Sequence, residues 1–287
     1  MDTICLNAYA KINLGLDVVR RKDNGYHEVR MIMQTISLHD VVRLEKRTEA
    51  GIVVHTDTNK LPADENNLVY KAAKLLFDEF QLEGGIIIYL EKNIPIAAGL
   101  AGGSADAASV LRGMNQMYHL KLTKQELMER GVRLGADIPY CIAGGTMLAE
   151  GIGERLTKLP WLPDCYLLVA KPDISVSTKW VYENLNIKEA TMHPDIDSMI
   201  EAIKNKNIND LADRMQNILE TVTESEYPVI RDIKDVMKEQ QALGAMMSGS
   251  GPSVFGIFDS REDRKAAYQR INEIAGVKAY MAEIVRK

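Results

Sequence analysis

A chain of 287 residues with 46% hydrophobic and 26% charged residues is too long for one modest core and too apolar for extensive disorder, so two globular domains are expected. Its net charge of −5 excludes a general basic field for nucleic acid or an anionic membrane, and any anionic ligand must be met by local groups. No basic-then-apolar leader opens the sequence and no run nears about 18 apolar residues, so neither secretion nor membrane spanning is expected. The three cysteines, Cys5, Cys141 and Cys165, stand in no metal-ligand spacing. Apolar neighbours predict burial of Cys5 and Cys141, and a reducing cytoplasm is the expected compartment.

From Leu6 to Val18 every even position is apolar, while the odd positions carry Asn7, Tyr9, Lys11, Asn13, Gly15 and Asp17. Period two predicts a long strand with one buried and one polar face, so Lys11, Asn13 and Asp17 share a side. Asp23-Asn24-Gly25 is a hairpin signal, and 29–38 reads as the return strand. Strands are predicted at 41–46, 51–56 and 86–91. A helix over 67–80 lies between the last two, with Leu68, Ala72, Leu75, Leu76 and Phe80 tracing one apolar face.

The segment Pro95-Ile96-Ala97-Ala98-Gly99-Leu100-Ala101-Gly102-Gly103-Ser104-Ala105 then separates a strand-like run from an alanine-rich helical run ending near Met117. A loop so poor in side chains lets main-chain N–H groups close on an anion, and the following helix offers its unpaired donors and positive dipole end. The stretch lacks the patterns of a P-loop and of a dinucleotide fingerprint. Thr123 with Glu126 forms a capping box for a helix that stops at Gly135, and a hairpin with glycines at 151 and 153 spans 146–159.

The proline-rich stretch 160–163 reads as a domain boundary. Beyond it come a strand at 165–171, helices at 178–185, 195–204, 208–218 and 228–241, strands at 244–248 and 253–258, a helix at 261–274 and a strand at 278–285. Strand, helix, two strands, helix, strand is the order of a split βαβ, or ferredoxin-like, unit with helical insertions. The architecture is therefore α+β in two halves.

Four places could carry chemistry, and each has a plain alternative. Lys11 is either a solvated strand lysine or a cation held for a ligand. Asp137, in Leu-Gly-Ala-Asp-Ile-Pro, is a base or metal ligand in a rigid turn, or the cap of the next helix, which the pattern alone favours. Ser248-Gly249-Ser250-Gly251 is a bland hairpin loop or a second anion-facing nest. Tyr26-His27 could stack on and hydrogen-bond a base, or simply sit at the surface.

Taken in order, NAYAKINLGLDV, PIAAGLAGGSADAA and MSGSGPSVFGIF resemble the three motifs of the GHMP kinases, across most of the chain. The segments AKINLGL, DNGYHEVR and LGADIPY are similar to the branch that phosphorylates a cytidine diphosphate conjugate of methylerythritol in the non-mevalonate isoprenoid pathway. The resemblance implies a two-domain scaffold. Residues 1–160 would form a ribosomal-protein-S5-like α/β domain for ATP and catalysis, and residues 161–287 a ferredoxin-like substrate-side domain.

By motif position the resemblance makes Lys11 and Asp137 the catalytic pair and residues 95–105 the wrapping of the ATP phosphates. Substrate binding falls on Asn13, Tyr26, His27, Thr178 and Tyr182, and the motif from Ser248 to Gly251 helps close the site. Ala101 stands where many relatives carry glycine, a change that fits if its φ is negative. No carboxylate matches the Mg²⁺-binding glutamate of the mevalonate kinase branch, so Mg²⁺ is expected to arrive with ATP and its ligands stay open. A cytoplasmic monomer or weak homodimer with no nucleic-acid or membrane partner is implied. The alternatives are another GHMP small-molecule kinase, or a catalytically silent nucleotide-binding protein on the same scaffold.

Overall fold

In the computed structural model, which describes residues 2–23, 25–187 and 193–286, the opening alternation becomes one long strand, β1 (Thr3–Arg21). Its partner β2 (His27–Arg47) merges the two strands expected at 29–38 and 41–46. In the turn between them the N–H groups of Lys22 and Gly25 donate to Tyr26 O and Lys22 O at 2.7 and 3.0 Å. Asn24 of the expected turn lies outside the described residues.

The chain continues through β3 (Gly51–Thr56), α1 (Leu68–Phe80), β4 (Gly85–Glu91), α2 (Gly102–Met117), α3 (Lys124–Val132), α4 (Ile138–Ala143), β5 (Thr146–Gly151) and β6 (Arg155–Lys158). The sheet runs β3-β4-β2-β5-β6, with β1 on β2. Within it β3 and β4 are parallel, while β4, β5 and β6 join by antiparallel pairing. Two helix starts in this half have side-chain caps. Asn67 accepts from Val69 N–H at the head of α1, and Thr123 and Glu126 cap α3 reciprocally, as the sequence predicts.

The remaining elements are β7 (Tyr166–Pro172), α5 (Thr178–Asn184), α6 (Ile196–Lys204), α7 (Ile208–Arg214), α8 (Glu220–Glu226), α9 (Val229–Glu239), β8 (Gly244–Met247), β9 (Val254–Phe258), α10 (Arg261–Asn272) and β10 (Val277–Glu283). Their sheet has the order β10-β7-β9-β8, antiparallel throughout. Numbered along the chain, that is the 4-1-3-2 order of the ferredoxin-like arrangement. The helix expected over 208–218 ends at Arg214 instead. Leu16 of β1 claims the next residues, accepting from Ile218 N–H and donating to Gln216 O, both at 3.0 Å. α8 had no sequence forecast.

Two compact units emerge: Met1–Ala10 with His39–Ile96 and Ala101–Gly144, and Lys11–Leu38 with Ala97–Leu100 and Gly145–Lys287. They interleave along the sequence because β1 and β2 each run through both. In the first, Ala72, Ala73 and Leu76 of α1 and Ala107, Val110 and Leu111 of α2 pack with Val42, Leu44, Ile86 and Ile88 of the sheet. In the second, all of β9 is buried.

Two burial expectations are corrected. Cys5 is exposed and Cys141 half-buried, because Cys5 shares the outward face of β1 with Thr3 and Asn7. The odd-numbered face of β1 is polar but not solvated at its middle, where Lys11 and Asn13 are buried. Both faces are covered there. A Cβ added at Gly15 would lie 2.7 Å from Met199 Sδ of α6.

Candidate active site

Lys11 is 4% exposed and Asn13 is fully buried, which removes the solvated reading of that lysine. The ammonium donates to Asn13 Oδ1 at 2.7 Å and to Gly99 O at 3.0 Å, and the backbone N–H of Lys11 donates to Leu100 O at 3.1 Å. Both acceptors of the ammonium are neutral. Burying a lysine on amide oxygens, with no carboxylate beside it among the described residues, is costly and calls for a reason other than packing.

The third motif closes on the same point. Ser248 Oγ donates to Gly99 O at 3.1 Å. A Cβ at Gly249 would lie 3.3 Å from Gly99 O, 3.4 Å from Lys11 Nζ and 3.5 Å from Asn13 Oδ1. At Gly99, with φ +72°, a Cβ would collide with Ser248 O at 2.2 Å. Glycine is therefore required at 99 both for its backbone angle and for this approach. Ser248 and Ser250 are buried, and Ser250 Oγ shares a 2.7 Å hydrogen bond with Thr178 Oγ1 at the start of α5.

Along the glycine-rich segment 95–105, Pro95 and Ile96 are half-buried, and Ala98 and Leu100 are buried. Ala98 O accepts from Ser253 N–H at 3.4 Å, so the carbonyls of residues 98, 99 and 100 are all engaged. Ala97, Gly99 and Ala101 have φ of 52°, 72° and 57°. The expectation of a negative φ at Ala101 is thus wrong, and its methyl costs about 1–2 kcal/mol in the left-handed region. Ala101 heads α2 with no side-chain cap, and the N–H of Ala105 takes Ala101 O at 2.9 Å. The N–H groups of Gly102, Gly103 and Ser104 have no intrahelical acceptor, which leaves them for an anion.

Asp137 sits at the N-cap position of α4, yet its side chain makes no cap hydrogen bond. The half-buried carboxylate is therefore not committed to capping. His27 and Tyr182 lie ring to ring, centroids 4.9 Å apart and tilted by 34°, and Tyr26 is 58% exposed. Burial, helped by the nearby charge of Arg21, holds the His27 imidazole below its usual range. At neutral pH it then offers one donor and one acceptor, the pattern that reads the edge of an uncharged base.

Two groups of residues escaped the sequence reading. Asn217 donates to Met247 O and Gly249 O at 2.9 and 2.8 Å, fixing the carbonyls beside the third motif. It fell inside a forecast helix and carried no signal. Lys92 is clasped by Asp40 and Asp106, all three buried. Asp40 Oδ1 also accepts from Asn93 and Ile94 N–H at 2.6 and 2.7 Å. The triad pins the start of the cradle segment to α2, and only Asp106, a charge in an alanine run, could have been noticed.

Family profiles match this geometry in two places: the GHMP kinases N terminal domain over residues 67–145 and the GHMP kinases C terminal domain over residues 199–276. The 4-diphosphocytidyl-2-C-methyl-D-erythritol kinase of Lachnospira eligens is 53% identical over 95% of this chain and 95% of its own. The chain belongs to the GHMP kinases, in the family of the 4-diphosphocytidyl-2-C-methyl-D-erythritol kinases. The relative of that name from Acetivibrio thermocellus is 52% identical, covering 94% of this chain and 95% of its own. A crystal structure of 4-(cytidine 5'-diphospho)-2C-methyl-D-erythritol kinase superposes with a TM-score of 0.84 at 30% identity, covering 99% of this chain and 100% of that one. As a GHMP kinase the chain is a phosphotransferase that uses ATP and acts on a small molecule. Among the described residues no helix is long and apolar enough to cross a membrane.

Proposed function

We propose that the chain transfers the γ-phosphoryl group of ATP to the 2-hydroxyl of 4-diphosphocytidyl-2-C-methyl-D-erythritol, in the non-mevalonate isoprenoid pathway. The observation that carries this reading is the Lys11 ammonium, buried between Asn13 and Gly99 with no carboxylate partner among the described residues, where two glycine motifs meet. Such a charge suits the negative charge that accumulates during phosphoryl transfer, which depends mainly on positioning and electrostatics.

Asp137 accepts the proton of the acceptor hydroxyl, and its freedom from capping supports that role. Lys11 offsets the charge that develops. The N–H groups at the start of α2 hold the polyphosphate, with residues 95–105 wrapping it. Tyr26 and Tyr182 stack on cytosine while neutral His27 reads its edge, Asn13 and Thr178 complete the substrate side, and the motif from Ser248 to Gly251 helps close the site. Residues 1–160 supply the ATP-binding and catalytic part and residues 161–287 the substrate-side part. The protein works in the cytoplasm as a monomer or weak homodimer.

Bound together with ATP, Mg²⁺ would neutralise phosphate charge. Among the described residues no three His, Cys, Asp or Glu side chains gather as ligands, and Asp106 is already paired with Lys92. No side chain is assigned as a ligand.

ADP release with 4-diphosphocytidyl-2-C-methyl-D-erythritol, beside mevalonate and homoserine, tests the substrate. Turnover of mevalonate or homoserine in preference to the cytidylyl compound overturns the reading. Asp137→Asn is expected to lower kcat by roughly 10²- to 10⁴-fold, and near-normal turnover in that variant removes Asp137 from the role.

A further inference from the structure

Asn217 is 1% exposed and lies between α7 and α8, remote in sequence from every motif considered above. Its amide is fully used. The two Nδ2 hydrogens reach Met247 O and Gly249 O, and Oδ1 accepts from Leu219 N–H at 3.0 Å. Three residues later Glu220 Oε1 accepts from Met247 N–H at 2.7 Å and pairs with Lys234 Nζ at 3.1 Å. Met247 is thus gripped by both its carbonyl and its N–H from one turn of chain.

The gripping segment is itself tied to the strand that carries Lys11. Leu16 bridges Asn217 in parallel, through the hydrogen bonds to Gln216 and Ile218. Leu16 lies five residues beyond Lys11 and three beyond Asn13 on β1. The contacts therefore close a circuit: from Lys11 along β1 to Leu16, across to Asn217, on to Gly249, and back to Lys11 and Gly99 through the close approach at Gly249.

Besides Ser248 Oγ to Gly99 O and Thr178 Oγ1 to Ser250 Oγ, the motif takes its carbonyl anchors at 247 and 249 from Asn217. Gly249 and Gly251 have φ of +59° and +83°, and the bonds inside the loop are Gly251 N–H to Ser248 O and Ser248 N–H to Ser253 O. Glycine backbones lose the most entropy on being ordered, and Asn217 supplies side-chain donors to the carbonyls of Met247 and Gly249. Resting on the functional reading above, we propose that Asn217 is a positioning residue for phosphoryl transfer, setting the 248–251 motif against Lys11.

Misplacement of reacting groups by about 1 Å can cost on the order of 10²-fold in rate. Asn217→Asp keeps the shape and the acceptor toward Leu219 but replaces the donor with one carboxylate oxygen facing the two carbonyls. Its expected signature is a fall in kcat of about 10²-fold with KM for the cytidylyl substrate within about threefold, because His27 and Tyr182 are untouched. Amide exchange across 247–253 should quicken together with it. Asn217→Ala, which removes the charge clash, should show the same split and serves if the Asp variant does not fold. A kcat within about threefold of the parent in a folded variant, or a loss carried by KM instead, overturns the proposal. Exchange is followed without substrate, so unchanged protection across 247–253 also overturns it. That readout judges the clamp even if the parent protein releases no ADP with the cytidylyl substrate, the outcome that would remove the functional reading alone.

Discussion

Two lysines are almost equally hidden, Lys11 at 4% exposure and Lys92 with a side chain at 6%, but their surroundings differ in charge. Lys92 faces Asp40 and Asp106, whereas Lys11 faces an amide oxygen and a backbone carbonyl. Burial pushes Asp106 up to about 7, repulsion from Asp40 adds to this, and Lys92 opposes it. A triad holding one cation and two acids approaches neutrality when one acid keeps its proton. The Lys92 cluster is neutralised in place and braces β2, the segment after β4 and α2. Among the described residues Lys11 has no carboxylate partner, an arrangement that suits the role in phosphoryl transfer proposed for it.

Cutting the brace is expected to have the largest effect on stability. Lys92→Met leaves two buried carboxylates facing each other, and unfolding free energy should fall by about 3–5 kcal/mol at neutral pH. Denaturant titration at pH 5 and pH 8 checks this, with the smaller loss expected at pH 5, where Asp106 holds its proton. The same substitution at Lys11 should act on rate instead. Lys11→Met is expected to lower kcat by about 10²- to 10³-fold while the thermal midpoint stays near that of the parent. A large loss of midpoint there would erase the contrast between the two lysines.

The finest test concerns the proton of Asp106. Its folded value, about 7, stands above the ordinary 3.8, so between these limits the native state binds more protons than the unfolded chain. The contribution is full below about pH 4 and is lost as pH rises through about 7. Unfolding free energies of Asp106→Asn and its parent, measured by denaturant titration from pH 5 to 8, should diverge in favour of the variant as pH rises, with a slope of no more than about 1.4 kcal/mol per pH unit. Parallel profiles would show that Asp106 does not retain its proton.

Much of the fold was legible because its causes are local. Thr123 and Glu126 cap α3 from three residues apart, the apolar period of 67–80 needs only its own turn to be read, and Gly99, Gly102 and Gly103 announce a loop wherever it lies. Lys11 defeated the same reasoning. Alternation assigns it to the polar face of a strand but cannot say that the 97–100 and 248–251 loops cover that face. The helix forecast over 208–218 failed similarly, since Leu16, some two hundred residues earlier in the chain, takes residues 216–218 into a strand-like pairing. Ala101 was misjudged because a backbone angle imposed by the loop on either side is absent from composition.

By itself the sequence determined most of the element order, the ferredoxin-like run of strands and helices, the glycine-rich loop at the head of α2 and the identities of the groups that could do chemistry. These follow from period, capping and turn chemistry, whose range is a few residues. Only the tertiary structure decided which charges are neutralised and which are kept. That balance depends on Asp40, Lys92 and Asp106 meeting across dozens of residues, and on Lys11 meeting only neutral oxygens. Electrostatic energy inside a protein is set by burial and by distance in space, and neither is written in the linear order of residues.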